Sequence, residues 1–313
     1  MASTALAALQ AMNAVIGIQS VPFPDPLAGS GTAVAAITAS PAMATDALQK
    51  IVQRKRQEVA RAKAETPLEA LRERVAQIAP PRNFFQALVA QGARTRSRVI
   101  AEVKRKSPSA GLIRADFDPV DIARRYHEAG ASAISCLTDE ADFGGELAFI
   151  QRIRDAVPIP VLRKDFIVDA WQIWESRAAG ADAILLIAEC LTEGEIVDFQ
   201  ILAVELGLTT LLEVHDVESL YRVQPHIGFP HPGYALLGIN NRDLRTMTTS
   251  LAHTFRMVDM IEDRSIVVSE SGIRTAEDLL RLREHGVHIA LVGEHLMKQP
   301  DPGEALRILL SGQ

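Results

Sequence analysis

Eight short apolar runs, separated by amphipathic segments, fill the last two thirds of this 313-residue chain. They predict an α/β fold, a (β/α)8 TIM barrel with an N-terminal helical extension. Three observations carry that prediction. The runs begin about 23 to 34 residues apart, which suits one strand–helix unit each. The segments between them are helix-like and end in Ala-Gly turns such as Glu128-Ala-Gly-Ala-Ser and Ala178-Ala-Gly-Ala-Asp, with Gly past the helix end. Charged and polar residues gather just after six of the eight runs, at what would be one end of a closed parallel sheet. An open doubly wound sheet is the alternative, and the absence of a Gly-rich dinucleotide fingerprint weakens it.

The elements follow in order. Residues 1–44 are rich in Ala, Ser, Thr, Pro and Gly and carry a single charge, Asp25. They read as a disordered tail, or as sequence upstream of a start at Met43. They lack the basic n-region of a secretory signal and the arginines of a transit peptide. Residues 45–313 read as one barrel domain, with 45–97 the helical extension and 98–313 the barrel. In the extension, Leu48, Ile51, Val52 and Val59 recur at helical spacing, and Lys50, Arg54, Lys55 and Arg56 read as a solvated face. Thr66-Pro67-Leu68-Glu69 predicts a capping box with Pro at the first helical position. Asn83 predicts a cap for a third short helix.

The predicted strands are Val99–Val103, Ala133–Leu137, Ile159–Leu162, Ala183–Ile187, Thr209–Val214, Ala235–Ile239, Ile266–Val268 and Ile289–Val292. The predicted helices between them are Asp121–Ala129, Gly145–Ala156, Ala170–Ala179, Glu193–Leu206, Val217–Val223, Thr254–Met260 and Thr275–His285.

Composition narrows the function. A net charge of −6 argues against a general nucleic-acid partner, which needs a basic surface. No apolar run approaches the length of a membrane helix. Cys136 and Cys190 lie in apolar runs and read as buried free thiols of a reducing, cytoplasmic compartment. No His-x-His, His-Glu-x-x-His or paired carboxylates stand at ligand spacing, so no metal is expected.

The barrel's active end should lie at the C-terminal ends of the strands. Strand 1 ends in Glu102 and Lys104, which share a face, with Lys106 next in line and Ser107-Pro108-Ser109 beyond. Strand 3 ends Arg163-Lys164-Asp165-Phe166, where desolvation of Lys164 would lower its pKa. Strand 5 ends Glu213-Val214-His215, strand 6 Asn240-Asn241-Arg242, strand 7 Ser269-Glu270-Ser271-Gly272, and strand 8 Gly293-Glu294-His295. Each residue alone has a plain structural explanation. Glu213 could be half of an ion pair, Lys164 could pair with Asp165 or Glu189, His215 could merely support a neighbour, and Phe143 and Phe166 could be core. Their coincidence at one end of one barrel favours a site. Ser271-Gly272 and Gly293-Glu294 fall where this architecture holds phosphate.

These strand-end segments resemble the indole-3-glycerol phosphate synthase family. The matching pieces are Ala101-Glu-Val-Lys-Arg-Lys-Ser-Pro-Ser, Leu162-Arg-Lys-Asp-Phe, Leu212-Glu-Val-His, Gly238-Ile-Asn-Asn-Arg-Asp-Leu, Ser269-Glu-Ser-Gly-Ile and Val292-Gly-Glu-His-Leu-Met. The resemblance runs from about Asp46 to the C-terminus and implies a barrel that closes the indole ring of 1-(2-carboxyphenylamino)-1-deoxyribulose 5-phosphate, releasing CO₂ and water, with no cofactor. It implies Lys164 as the acid for ring closure, Lys104 as partner of the substrate carboxylate, and Glu213 as the base of dehydration, supported by Glu102. The division of steps between the two lysines stays open. It further implies that Asn240, Arg242 and Ser107 hold polar groups of the substrate, that Phe143 and Phe166 pack on its aromatic ring, and that Ser271, Gly272, Gly293 and the Glu294 backbone hold the phosphate. His215 replaces an Asn found in some members, and His295 replaces a common Ser.

Three rival readings remain. A Schiff-base aldolase would also use Lys164. Phosphoribosylanthranilate isomerase would want a Cys where Glu102 stands. A non-catalytic ligand-binding barrel leaves Glu102, Lys104, Lys164 and Glu213 without a purpose.

Overall fold

The computed structural model describes residues 46–89, 96–243, 246 and 248–311; the segment expected as a tail, 1–44, lies outside the described residues. Three helices come first: α1 (Asp46–Glu65), α2 (Leu68–Gln77) and α3 (Phe84–Val89). Eight strands follow: β1 (Arg98–Val103), β2 (Ala133–Leu137), β3 (Val161–Lys164), β4 (Ala183–Ile187), β5 (Thr209–Val214), β6 (Ala235–Asn240), β7 (Val267–Glu270) and β8 (Ile289–Val292). Each pairs in parallel with the next, and β8 pairs with β1 through Ile289 opposite Arg98, so the sheet closes. After β1 a small antiparallel ribbon, Lys106–Ser107 with Gly111–Leu112, stands at the barrel mouth.

The remaining helices are α4 (Pro119–Glu128), α5 (Glu140–Phe143), α6 (Ala148–Ala156), α7 (Ala170–Ala178), α8 (Glu193–Glu205), α9 (Val217–Val223), α10 (Ala252–Val258), α11 (Ala276–Glu284), α12 (Glu294–Met297) and α13 (Pro302–Leu310). Their starts follow from local chemistry. Asp118, Asp169 and Asp301 accept hydrogen bonds from the first free amides of α4, α7 and α13. Thr192 with Glu195, and Thr275 with Asp278, form capping boxes on α8 and α11. Gly130 and Gly180 close the α4 and α7 turns at φ 97° and 87°, which a side chain would resist. With helices packed outside and side chains filling the interior, all five residues of β2 and of β4 are buried.

Several boundaries differ from expectation for identifiable reasons. β3 is shifted two residues along the chain, starting at Val161 and reaching Lys164, which pairs with Leu137 of β2. β7 is Val267–Glu270, since Ile266 closes a 3₁₀ turn capped by Asp263. The helix expected from Gly145 starts three residues later, as α6 at Ala148, and a short helix that was not expected, α5, precedes it, capped by Asp139 and ended by Gly144 at φ 63°. No capping box forms at Thr66. Its amide bonds back to Ala62 at 2.8 Å as the end of α1, and Pro67 takes the cap position of α2 without a side-chain hydrogen bond. Asn83 does cap α3, accepting from the Gln86 amide at 2.8 Å.

The basic face of α1 is not wholly solvated. Lys55 is buried, with its ammonium 2.7 Å from Asp139, 3.0 Å from Asp165 and 2.9 Å from Glu58. Three carboxylates offset the cost of burying one cation. The extension also packs Val59 and Leu71 against Trp171 of α7.

Candidate active site

Four ionisable side chains come from the C-terminal ends of alternate strands: Glu102 of β1, Lys164 of β3, Glu213 of β5 and Glu270 of β7. Side chains from alternate strands form a layer in such a barrel, and that layer is normally aliphatic. Here it is ionic. The Lys164 ammonium lies 2.9 Å from Glu213 Oε2 and 3.3 Å from Glu270 Oε2. The intervening strands make room by lacking side chains. A methyl group on Gly238 of β6 would overlap Glu270, and one on Gly293, just past β8, would overlap Glu102. Above this layer opens a cavity of about 1030 Å³.

The layer's protonation follows from its composition. Burial disfavours the Lys164 charge, but Glu213, Glu270 and Glu102 outweigh burial and raise its pKa. The expected lowering by desolvation is therefore reversed, because three carboxylates face one ammonium. Burial alone would raise Glu213, yet Lys164 and His215 hold it below its ordinary value. Glu270 goes the other way: burial and the neighbouring Glu213 push it well above the carboxylate range. Among the described residues neither Glu270 oxygen meets a donor in good hydrogen-bond geometry, and its closest cation is the Lys164 ammonium at 3.3 Å. The site thus pairs an ionised carboxylate with one inclined to hold a proton, flanking one ammonium.

Glu270 is the residue that sequence reading passed over. In the sequence it stands at a strand end with no role attached. Its signal was the combination of the alternate-strand rule with a glycine inside β6.

Lys104 lies just past β1, with its ammonium 2.5 Å from Glu102 Oε1. Lys106 does not continue that face: β1 ends at Val103, and Lys106 turns out to donate to the Ala141 carbonyl at 2.7 Å. Phe143, at the end of α5, and Phe166, after β3, face each other with ring centroids 6.3 Å apart at 41°. Both line the cavity.

The opposite wall is polar. Asn240 ends β6 beside Glu270 of β7 in the sheet register, and its Oδ1 accepts from the Arg242 amide at 3.1 Å. Arg242 ties three loops, donating to Ser109 Oγ at 3.1 Å and to Glu294 Oε2 at 3.2 Å. Ser107 turns its hydroxyl inward along the same loop, accepting from the Ala110 amide at 3.2 Å. Glu294 is engaged by Lys298 at 2.7 Å as well. Ser271, at φ 67°, and Gly272, at φ 82°, shape the turn after β7. Asn241 holds that turn, donating to Ser269 Oγ and to the Glu270 and Ser271 carbonyls. Ser271, Gly272, Gly293 and Glu294 line the same cavity as the ionic layer. All thirteen residues expected at the site therefore meet at one end of the barrel. Among the described residues, no three His, Cys, Asp or Glu side chains are grouped as a metal would require.

Comparison with known proteins bears on this arrangement. Residues 48–309 match the family model described as indole-3-glycerol phosphate synthase. The indole-3-glycerol phosphate synthase of Rhodospirillum rubrum is 45% identical over 266 residues, covering 85% of this chain and 99% of that protein. That of Acidithiobacillus ferrooxidans is 46% identical over 265 residues, covering 85% of this chain and 98% of its own length. Among solved structures, 3-hexulose-6-phosphate synthase from Salmonella typhimurium superposes with a TM-score of 0.53 at 14% identity, over 68% of this chain and 96% of that one, and shares the barrel fold. With a family match across the whole described barrel and relatives near half identical along almost their full length, the chain belongs to the indole-3-glycerol phosphate synthase family.

Proposed function

We propose that this site converts 1-(2-carboxyphenylamino)-1-deoxyribulose 5-phosphate to indole-3-glycerol phosphate, CO₂ and water. The observation that carries the reading is Lys164 held between Glu213 and Glu270 beside the Phe143–Phe166 pair, in one cavity. The substrate offers a group for each wall. Its aromatic ring suits the two phenylalanines. Its carboxylate suits Lys104, which would exchange its bond to Glu102 for one to the substrate. Its phosphate suits the turns at Ser271-Gly272 and Gly293-Glu294, where backbone amides offer donors without a charged side chain. The Glu294 carboxylate is kept off the dianion by Lys298 and Arg242. Asn240, Arg242 and Ser107 serve the sugar's oxygens.

The steps balance. The ring carbon bearing the carboxylate attacks the sugar ketone, and Lys164 delivers a proton to the carbonyl oxygen as it becomes an alcohol. The carboxylate leaves as CO₂, and its bonding electrons restore the ring system. The hydroxyl then takes a proton from the Lys104 ammonium, released when the carboxylate departs, and leaves as water, while Glu213 removes a proton from the adjacent carbon, supported by Glu102. The raised pKa of Lys164 does not oppose the first transfer. An alkoxide is a stronger base than a lysine amine, so the proton moves downhill as negative charge develops.

The helical extension, 45–97, acts with the barrel as a single domain, on the support of Lys55 and the Trp171 contacts. A cytoplasmic setting accords with two buried, free cysteines. Among the described residues no helix is long and apolar enough to cross a membrane.

Borohydride trapping separates this reading from Schiff-base chemistry. Substrate plus borohydride should leave Lys164 unmodified while indole fluorescence develops in its absence. A covalent adduct at Lys164 would replace the proposal with an aldolase-type reaction.

A further inference from the structure

His215, one residue past β5, is held from behind by Glu189, in the turn that follows β4. The His215 amide donates to Glu189 Oε1 at 2.8 Å, and ring Nδ1 lies 3.1 Å from Glu189 Oε2. Both carboxylate oxygens are spent on one residue, which fixes the ring and places a proton on Nδ1. The other ring nitrogen, Nε2, lies 3.4 Å from Glu213 Oε1. Glu213 Oε2 faces Lys164. Glu213 therefore has a cation at each oxygen, and the two differ in fate. Lys164 gives its proton to the substrate. His215 stays anchored to Glu189.

That difference matters once ring closure is over. With Lys164 neutral, Glu213 and Glu270 would face each other without the ammonium between them. Two close carboxylates tend to trap one proton, and a protonated Glu213 cannot act as a base. We propose that His215, locked by Glu189, is a positioning residue that keeps Glu213 ionised and fixed while Lys164 is without its proton. This rests on the reading of Lys164 as acid and Glu213 as base.

The surroundings favour a charged ring. It is faced by Glu189 beyond β4, Glu213 on β5, Glu270 on β7, Lys164 across Glu213, and His253 of α10; Asp216 is occupied capping α9. Burial alone would strip the proton, but Glu189, Glu213 and Glu270 outweigh it and raise the His215 pKa from 6.5 to about 9. Burial pushes His253 down, so the second histidine adds little competing charge.

The test is the pH dependence of kcat and KM, from pH 6 to 10, for the full chain and for His215→Asn, Glu189→Gln and Glu213→Gln. The full chain should lose kcat as pH rises through about 9. His215→Asn keeps a donor but no charge. Its kcat at pH 7.5 should drop by about tenfold, a fraction of a full acid–base contribution. Its KM should change little, and the fall near pH 9 should vanish. Glu189→Gln should move that fall to lower pH. Wild-type kcat in His215→Asn, or a fall at pH 9 that persists in it, overturns the proposal. If His215→Asn does not fold, an unmoved fall in Glu189→Gln overturns it equally. Full turnover in Glu213→Gln would instead overturn the base assignment beneath it.

Discussion

Lys164 shows why residue chemistry has to be read with its neighbours. Alone in an apolar mouth it would be a depressed amine; between Glu213, Glu270 and Glu102 it is a persistent ammonium. Its substitution is correspondingly costly to chemistry and mild to binding. Lys164→Met should lower kcat by about 10²-fold or more, while a substrate analogue still binds, measured by steady-state kinetics and fluorescence titration. Glu270 bears the opposite burden. Its folded pKa is raised, so the folded protein holds that proton more tightly than the unfolded chain does. Stability is therefore lost as pH climbs above the ordinary carboxylate value of 4.5. Glu270→Gln should stabilise the protein at pH 8 by about 1–3 kcal/mol in urea unfolding, while slowing turnover. A destabilised variant would contradict the like-charge account.

At the scale of elements, the most legible features were those with local causes. The eight apolar runs, and Gly130 and Gly180 after their helices, follow from periodicity and backbone freedom. The two-residue shift of β3 did not, because it depends on which strand pairs with which: Lys164 is in the strand through its pairing with Leu137. Lys55 illustrates the same limit. As one of four basic residues on a helix it looks like surface, and only tertiary contact reveals Asp139 and Asp165 beneath it. Those two carboxylates lead directly to the aromatic slot: Asp139 caps α5, which carries Phe143, and Asp165 accepts from the Phe166 amide at 2.8 Å. Lys55→Met should cost about 3 kcal/mol, since Arg54 and Arg163 still face the orphaned carboxylates. It should also raise KM more than it lowers kcat, and a melting curve with steady-state kinetics checks both. Gly238→Ala sits in a tighter place. Its methyl group must displace Glu270, so kcat should fall although the substitution is small and apolar.

For the whole molecule, the barrel was readable because its period is global, and the site because six strand ends repeat one kind of anomaly. What the sequence could not show was the balance among the charges. Glu102, Lys104, Lys164, Glu213, Glu270, Glu189 and His215 form one connected system, and its net protonation is a property of the assembly. That assembly has a stability signature. His215 has a raised folded pKa, so its contribution is fully present below its ordinary 6.5 and is lost as pH rises through about 9. The loss is on the order of 3 kcal/mol at most. It should be visible as a drop in unfolding free energy over that window and absent from His215→Asn.

The most direct test is to follow indole fluorescence and CO₂ release together when the purified chain meets 1-(2-carboxyphenylamino)-1-deoxyribulose 5-phosphate. One CO₂ per indole-3-glycerol phosphate is expected, with both signals suppressed in parallel by Lys164→Met. An intact chain that releases neither, or a Lys164→Met variant that releases both at the wild-type rate, would contradict it.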